Sequence, residues 1–285
     1  MPAIRTAAVA GLFYPAAAAE LRAEVAELLG GTETAGAAPA PKVLISPHAG
    51  YIYSGRVAAA GYRRLAQARE RITRVVLLGP SHFVGFHGLA AASADSWQTP
   101  LGSVPVDRPL VVRLIEAKLI EVLDAAHARE HSLEVHLPFL QVALGEFALV
   151  PIVAGEAPLQ AVAAILDAVW GGPETLIVVS TDLSHYLDYR TCQETDRRTA
   201  EAIERLDPDA LGPESACGRV PMRGLLAVAK RRGMGIARLD LRNSGDTAGL
   251  HQRVVGYGSW ALFEPEEGGQ GSDHPFMPSP RSRPP

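Results

Sequence analysis

Two cysteines, Cys192 and Cys217, are all that this chain of 285 residues contains. That count excludes a secreted disulfide framework and points to a reducing compartment. Nowhere is there an apolar run of about 18 residues or more, so no membrane span is expected. The first residues, MPAIRTAAVAGLFYP, lack the charged start and uninterrupted apolar stretch of a leader peptide, because aromatic residues and Pro15 break the run. A basic excess is missing too. With 27 Lys and Arg against 31 Asp and Glu, the formal charge of −4 argues against a general nucleic-acid binder, which needs cations to neutralise phosphates. A cytoplasmic protein with no nucleic-acid or membrane partner is expected.

What is present is an ordinary globular balance, 47% hydrophobic and 20% charged, in a chain long enough to bury a sizeable core. Short apolar segments alternate with helical patterns. Strands are predicted at Val43 to Ser46, Arg74 to Leu78, Phe147 to Val153, Leu176 to Ser180, Ile236 to Leu241 and Val254 to Phe263. Helices are predicted at Ala17 to Leu29, Gly55 to Arg69, Arg108 to Lys118, Glu130 to Leu144, Leu159 to Trp170, Tyr189 to Leu206 and Arg219 to Arg232. Strands this apolar are buried on both faces, so the expected fold is α/β, with a mixed, largely parallel sheet between helices. GTETAGAAPAP reads as a linker, and residues 264–285, rich in Gly, Pro and Ser, as a disordered tail behind a single domain of residues 1–263.

Polar clusters follow the strands: Pro47-His48, Ser81-His82, Asp182 to His185, and Asn243-Ser244-Gly245-Asp246. In open α/β sheets ligands bind beyond the carboxyl ends of the strands, so these clusters are expected around one crevice. His48 and His82, each with small neighbours, suit neutral imidazole ligation of a transition metal; singly, each also reads as a hydrogen-bonded loop histidine. EHSLEVHLP, Glu130 to Pro138, on a helix would place Glu130 over Glu134, supplying a ligand, an orienting carboxylate or a proton donor, unless it is simply a solvated face. Asp182 and His185 could form a base with its orienting partner or a helix cap. Cys217, between Ala216 and Gly218 at a helix start, is expected to have its thiolate favoured by the helix dipole; Cys192 reads as structural.

These blocks also carry a resemblance. AGLFYP (Ala10 to Pro15), SPHAGYIYSG (Ser46 to Gly55), LGPSH (Leu78 to His82), EHSLEVHLP, STDLSHY (Ser180 to Tyr186), CGR (Cys217 to Arg219) and NSGD (Asn243 to Asp246) resemble, in order, the signature blocks of Memo-like proteins. The resemblance implies a fold similar to that of class III extradiol (LigB-like) dioxygenases, which hold Fe(II) at one end of a mixed sheet. It implies His48, His82 and Cys217 as metal ligands, with Fe(II) or Cu as the cofactor and Zn as a further option. Asp182, His185, His136 and Glu134 are then expected to line the same cavity as acid/base or orienting groups. A thiolate where the dioxygenases place a carboxylate is softer and itself oxidisable, which argues against ring cleavage. Bacterial and archaeal members commonly accompany a radical-SAM protein and an AMMECR-like protein, so the resemblance implies both as partners, beside a small molecule or peptide in the pocket. The expected function is a redox or oxidoreductase-like metal protein. Two alternatives stay open: a non-catalytic peptide- or partner-binding module, and a zinc-dependent hydrolase.

Overall fold

The structure is a computed structural model that describes residues 3–30 and 39–265. Most of the expected linker and nearly all of the expected tail therefore lie outside the described residues. Four strands make the centre of the main sheet. Val43–Ser46, Thr175–Ser180, Arg74–Pro80 and Ala148–Ala154 lie side by side in that order, all parallel. Most of their residues are Val, Leu or Ile, and almost every position is buried, as strands covered on both faces require.

The sheet is mixed because its flanks turn back. Val254–Phe263 runs antiparallel to Val43–Ser46, and Gly235–Asn243 antiparallel to Val254–Phe263. Leu89–Ala91, Glu121–Val122 and His185–Leu187 are short additions at the edges. A separate small sheet joins Ile4–Arg5 to the hairpin Ser96–Thr99 and Gly102–Pro105. Helices Ala18–Leu28, Tyr51–Tyr62 and Leu137–Leu144 contact one another in one layer; Arg108–Glu116, Leu159–Val169, Tyr189–Glu204 and Arg219–Arg231 belong to another. Gly61 lets the Tyr51–Tyr62 helix sit close to the sheet, since a Cβ there would stand 2.9 Å from Ser259 Oγ. No helix among the described residues is long and apolar enough to cross a membrane.

Three departures from the expected elements matter for function. The segment from Glu130 is no continuous helix: Glu134–His136 forms a 3₁₀ turn, and the α-helix begins only at Leu137, with Pro138 in its first turn. Glu130 turns its carboxylate back onto the amides of His131 and Ser132, which removes them from any helical ladder. The second departure is a helix start at Tyr51 rather than Gly55, which places it directly behind His48. The third concerns Glu134, expected in the cavity. It is buried and fully engaged elsewhere, pairing with Arg5 and accepting from the amides of Ala8 (2.8 Å) and Val9 (3.0 Å) and from the Tyr14 hydroxyl (2.5 Å). Glu134 therefore ties the N-terminal segment across the molecule.

The parallel register has one consequence above all. Ser46 is level with Ser180, and Leu78 with Val179, so these strands end at one edge of the sheet. The residues that follow them emerge side by side.

Two predictions arise from the buried polar groups. Glu134→Ala leaves the Arg5 guanidinium buried without its carboxylate, which costs about 3–5 kcal/mol in urea unfolding; a loss below about 1 kcal/mol would contradict the clamp. Burial holds His127 at about 4 and His136 at about 3, both below the ordinary 6.5. Below pH 6.5 the unfolded chain therefore binds protons that the native rings refuse. Their stabilising contribution is complete above that pH and is lost as pH falls toward about 4 for His127 and about 3 for His136. The thermal midpoint should drop across this window, and His127→Gln should flatten the drop.

Candidate metal centre

His48 leaves the end of the Val43–Ser46 strand and is 1% exposed. Its amide donates to Asp182 Oδ1 (2.8 Å), on the loop after the neighbouring strand. Its Nδ1 lies 2.6 Å from Ser180 Oγ, while Nε2 faces Cys217 Sγ at 3.4 Å and Asp182 Oδ2 at 3.9 Å. The ring is thus gripped at one nitrogen and open toward a thiol and a carboxylate at the other.

His82 leaves the end of the Arg74–Pro80 strand and is held by Glu130, a fully buried carboxylate. Glu130 Oε2 accepts the His82 amide (2.5 Å), and Oε1 stands 2.9 Å from His82 Nδ1. Oε1 also accepts the amides of His131 and Ser132, both at 2.9 Å. Burial by itself would raise the Glu130 carboxyl, but the hydrogen bonds and charge from His82 and the amides outweigh it and hold the group at about 2. An ionised Glu130 keeps a proton on His82 Nδ1, leaving Nε2 as the free lone pair, the arrangement in which carboxylates orient metal-binding imidazoles.

The same loop brings in a third imidazole that sequence reasoning did not single out. Ligand nitrogens of His48, His82 and His131 lie within 4.8 Å of one another, a grouping that could hold a metal ion. His131 stacks on His82 with ring centres 4.7 Å apart and planes inclined by 15°. His48 meets both rings edge-on, at 5.1 Å and 5.5 Å. Burial leads the causes that hold His48 well below the usual histidine range and His131 at about 4, and the neighbouring imidazoles add to it. Both are neutral near pH 7, as ligation requires.

Cys217 reaches His48 from the turn before the Arg219–Arg231 helix. Its amide donates to the Asp182 carbonyl, and its sulfur accepts the Asp182 amide at 3.2 Å. Gly218 makes the approach feasible, because a Cβ there would meet the Ser180 carbonyl at 2.4 Å. Burial works against the expected thiolate. Burial, with the Asp182 charge beside it, pushes the Cys217 thiol up to about 12. Asp182 is itself raised by burial to about 7, against the amides of His48 and Ala49 that favour its ionised form. A carboxyl poised near neutrality beside His48 can take up or release a proton.

The remaining expected residues separate. His185 lies exposed on the edge strand His185–Leu187, and partial desolvation, with the His82 ring adding to it, lowers its pKa, so it stands at the rim. His136 is 1% exposed and engaged at both nitrogens, with Tyr62 OH at 2.7 Å and Ser180 Oγ at 2.8 Å, so it neither faces the cavity nor offers a lone pair to it. Asp246 is spent on its own turn, accepting the Asn243 amide at 2.9 Å and the Tyr189 hydroxyl at 2.5 Å. The signal for His131 was its place beside Glu130, and a helical reading of that segment concealed it.

The family model described as Memo-like protein matches residues 5–261. A MEMO1 family protein of Thermotoga maritima is 37% identical, covering 91% of this chain and 99% of its own length. One from Aquifex aeolicus is 36% identical over 89% and 97%, and one from Methanosarcina barkeri 35% identical over 89% and 98%. A match across nearly the whole chain makes this chain a member of the Memo-like family.

Proposed function

We propose that this Memo-family chain holds one redox-capable transition metal, iron(II) or copper, between His48, His82 and Cys217, and acts in oxidoreductase-like chemistry on a small ligand. The observation that carries this reading is the 3.4 Å between His48 Nε2 and Cys217 Sγ. Metal–nitrogen bonds of about 2.0–2.1 Å and metal–sulfur bonds of about 2.3 Å put two ligands of one tetrahedral ion roughly 3.5 Å apart. These two atoms already stand at that separation.

The choice of third donor rests on ring orientation. An imidazole binds a metal in its own plane. His82 and His131 are stacked with nearly parallel planes, so a single ion can lie in both planes only if one ring turns. Cys217, at 3.4 Å from His48 Nε2, is free of that stacking constraint. The donor set mixes borderline imidazole with soft thiol, which suits iron, copper or zinc and disfavours magnesium or calcium. When bound, iron or copper would supply one-electron chemistry and open positions for a ligand. The chain's own contribution is orientation by Glu130, a proton held or released at Asp182 Oδ2, and a further ionisable ring at the rim in His185. Asp182 near neutrality equally suits a zinc-dependent hydrolase, whose base must take a proton from water. Ester or amide hydrolysis by protein loaded with zinc alone would favour that reading.

Elemental analysis of untagged protein purified without oxygen tests the site. About one iron or copper per chain is expected, with most of it lost in His48→Ala and Cys217→Ser and most retained in His131→Ala. Equal content in all variants would overturn the assignment; loss in His131→Ala with retention in Cys217→Ser would transfer the third position to His131. Glu130→Gln should weaken metal affinity by about 10–100-fold while leaving every ligand in place.

A further inference from the structure

Ser180 ends the central Thr175–Ser180 strand, fully buried, and its hydroxyl has three close neighbours. The Ser132 carbonyl lies at 2.6 Å, His48 Nδ1 at 2.6 Å and His136 Nε2 at 2.8 Å. A hydroxyl has one proton to give and two lone pairs to receive with. The Ser132 carbonyl has no proton, so a contact of 2.6 Å between these two oxygens requires the Ser180 proton between them. Both remaining contacts must then be filled by donors. His48 carries its proton on Nδ1 and His136 on Nε2, and the freed Nδ1 of His136 accepts from Tyr62 OH at 2.7 Å.

We propose that Ser180 is the positioning residue that keeps the His48 proton on Nδ1 and so presents Nε2 to the cavity as a bare lone pair. The inference deepens the proposed metal site and takes its function from that reading, but the hydrogen-bond pattern stands without any metal. It also separates the two imidazoles chemically. His82 leans on an ionised carboxylate, which strengthens its donor nitrogen, whereas His48 leans on a neutral hydroxyl whose proton is already committed to a carbonyl. Without the hydroxyl, Nδ1 of His48 loses its acceptor. The proton is then better placed on Nε2, where Cys217 Sγ and Asp182 Oδ2 face it. That tautomer blocks the nitrogen the cavity needs.

The test reads the tautomer directly. Long-range ¹H–¹⁵N spectra of the metal-free, ¹⁵N-labelled chain, with His48 identified by its loss in His48→Gln, should show a protonated Nδ1 and a bare Nε2. In Ser180→Ala the pattern should reverse and cobalt(II) affinity should fall about 10–100-fold. Ser180→Thr, which retains the hydroxyl, should restore both, and Tyr62→Phe should leave the His48 pattern unchanged. A wild-type His48 protonated on Nε2 would overturn the proposal, and that measurement needs no variant to fold. An unreversed Ser180→Ala, or a reversal in Tyr62→Phe, would overturn it as well. The expected tautomers in protein that binds no cobalt(II) would support the role of Ser180 and defeat the metal reading alone.

Discussion

Parallel strands buried on both faces have only their ends to offer to chemistry. Here Val43–Ser46, Thr175–Ser180 and Arg74–Pro80 run in one direction and stop almost level, so His48, Asp182 and His82 meet although far apart in sequence. The rest of the centre depends on that alignment. Cys217 is placed by two hydrogen bonds to Asp182, and Ser180, the last strand residue, holds His48 from behind.

Burying so much polarity demands that each group be satisfied, and two carboxylates four residues apart solve this differently. Glu130 gathers three amides and one imidazole, and so belongs to the cluster. Glu134 gathers an arginine, two amides and a tyrosine hydroxyl, and so belongs to the N-terminal segment. The tasks still meet, because the segment that Glu134 fastens carries Phe13, whose ring lies 4.7 Å from His131. Unpaired, either carboxylate would be costly at such depth, and each acts as a fixed point for the chain around it.

The sequence by itself determined the apolar strands, the alternation with helices and the strand-end histidines. Strands buried on both faces need continuous apolar runs, and chemistry needs polar residues where those runs stop. His48, His82 and Asp182 were legible for that reason, as were the boundaries of Val43–Ser46 and Val254–Phe263. Only the tertiary structure decided what the polar residues between elements do. Glu130 and Glu134 look alike in EHSLEVH, and nothing local says which donors from residues 5–14 or 81–82 will reach them. Helical spacing placed them on one face, but the hydrogen bonds of Glu130 to the amides of His131 and Ser132 forbid that helix. Cys217 was legible as a candidate but not in its burial, which raises its thiol. Each of these outcomes turns on desolvation and on long-range partners, and neither is written in a residue's neighbours along the chain.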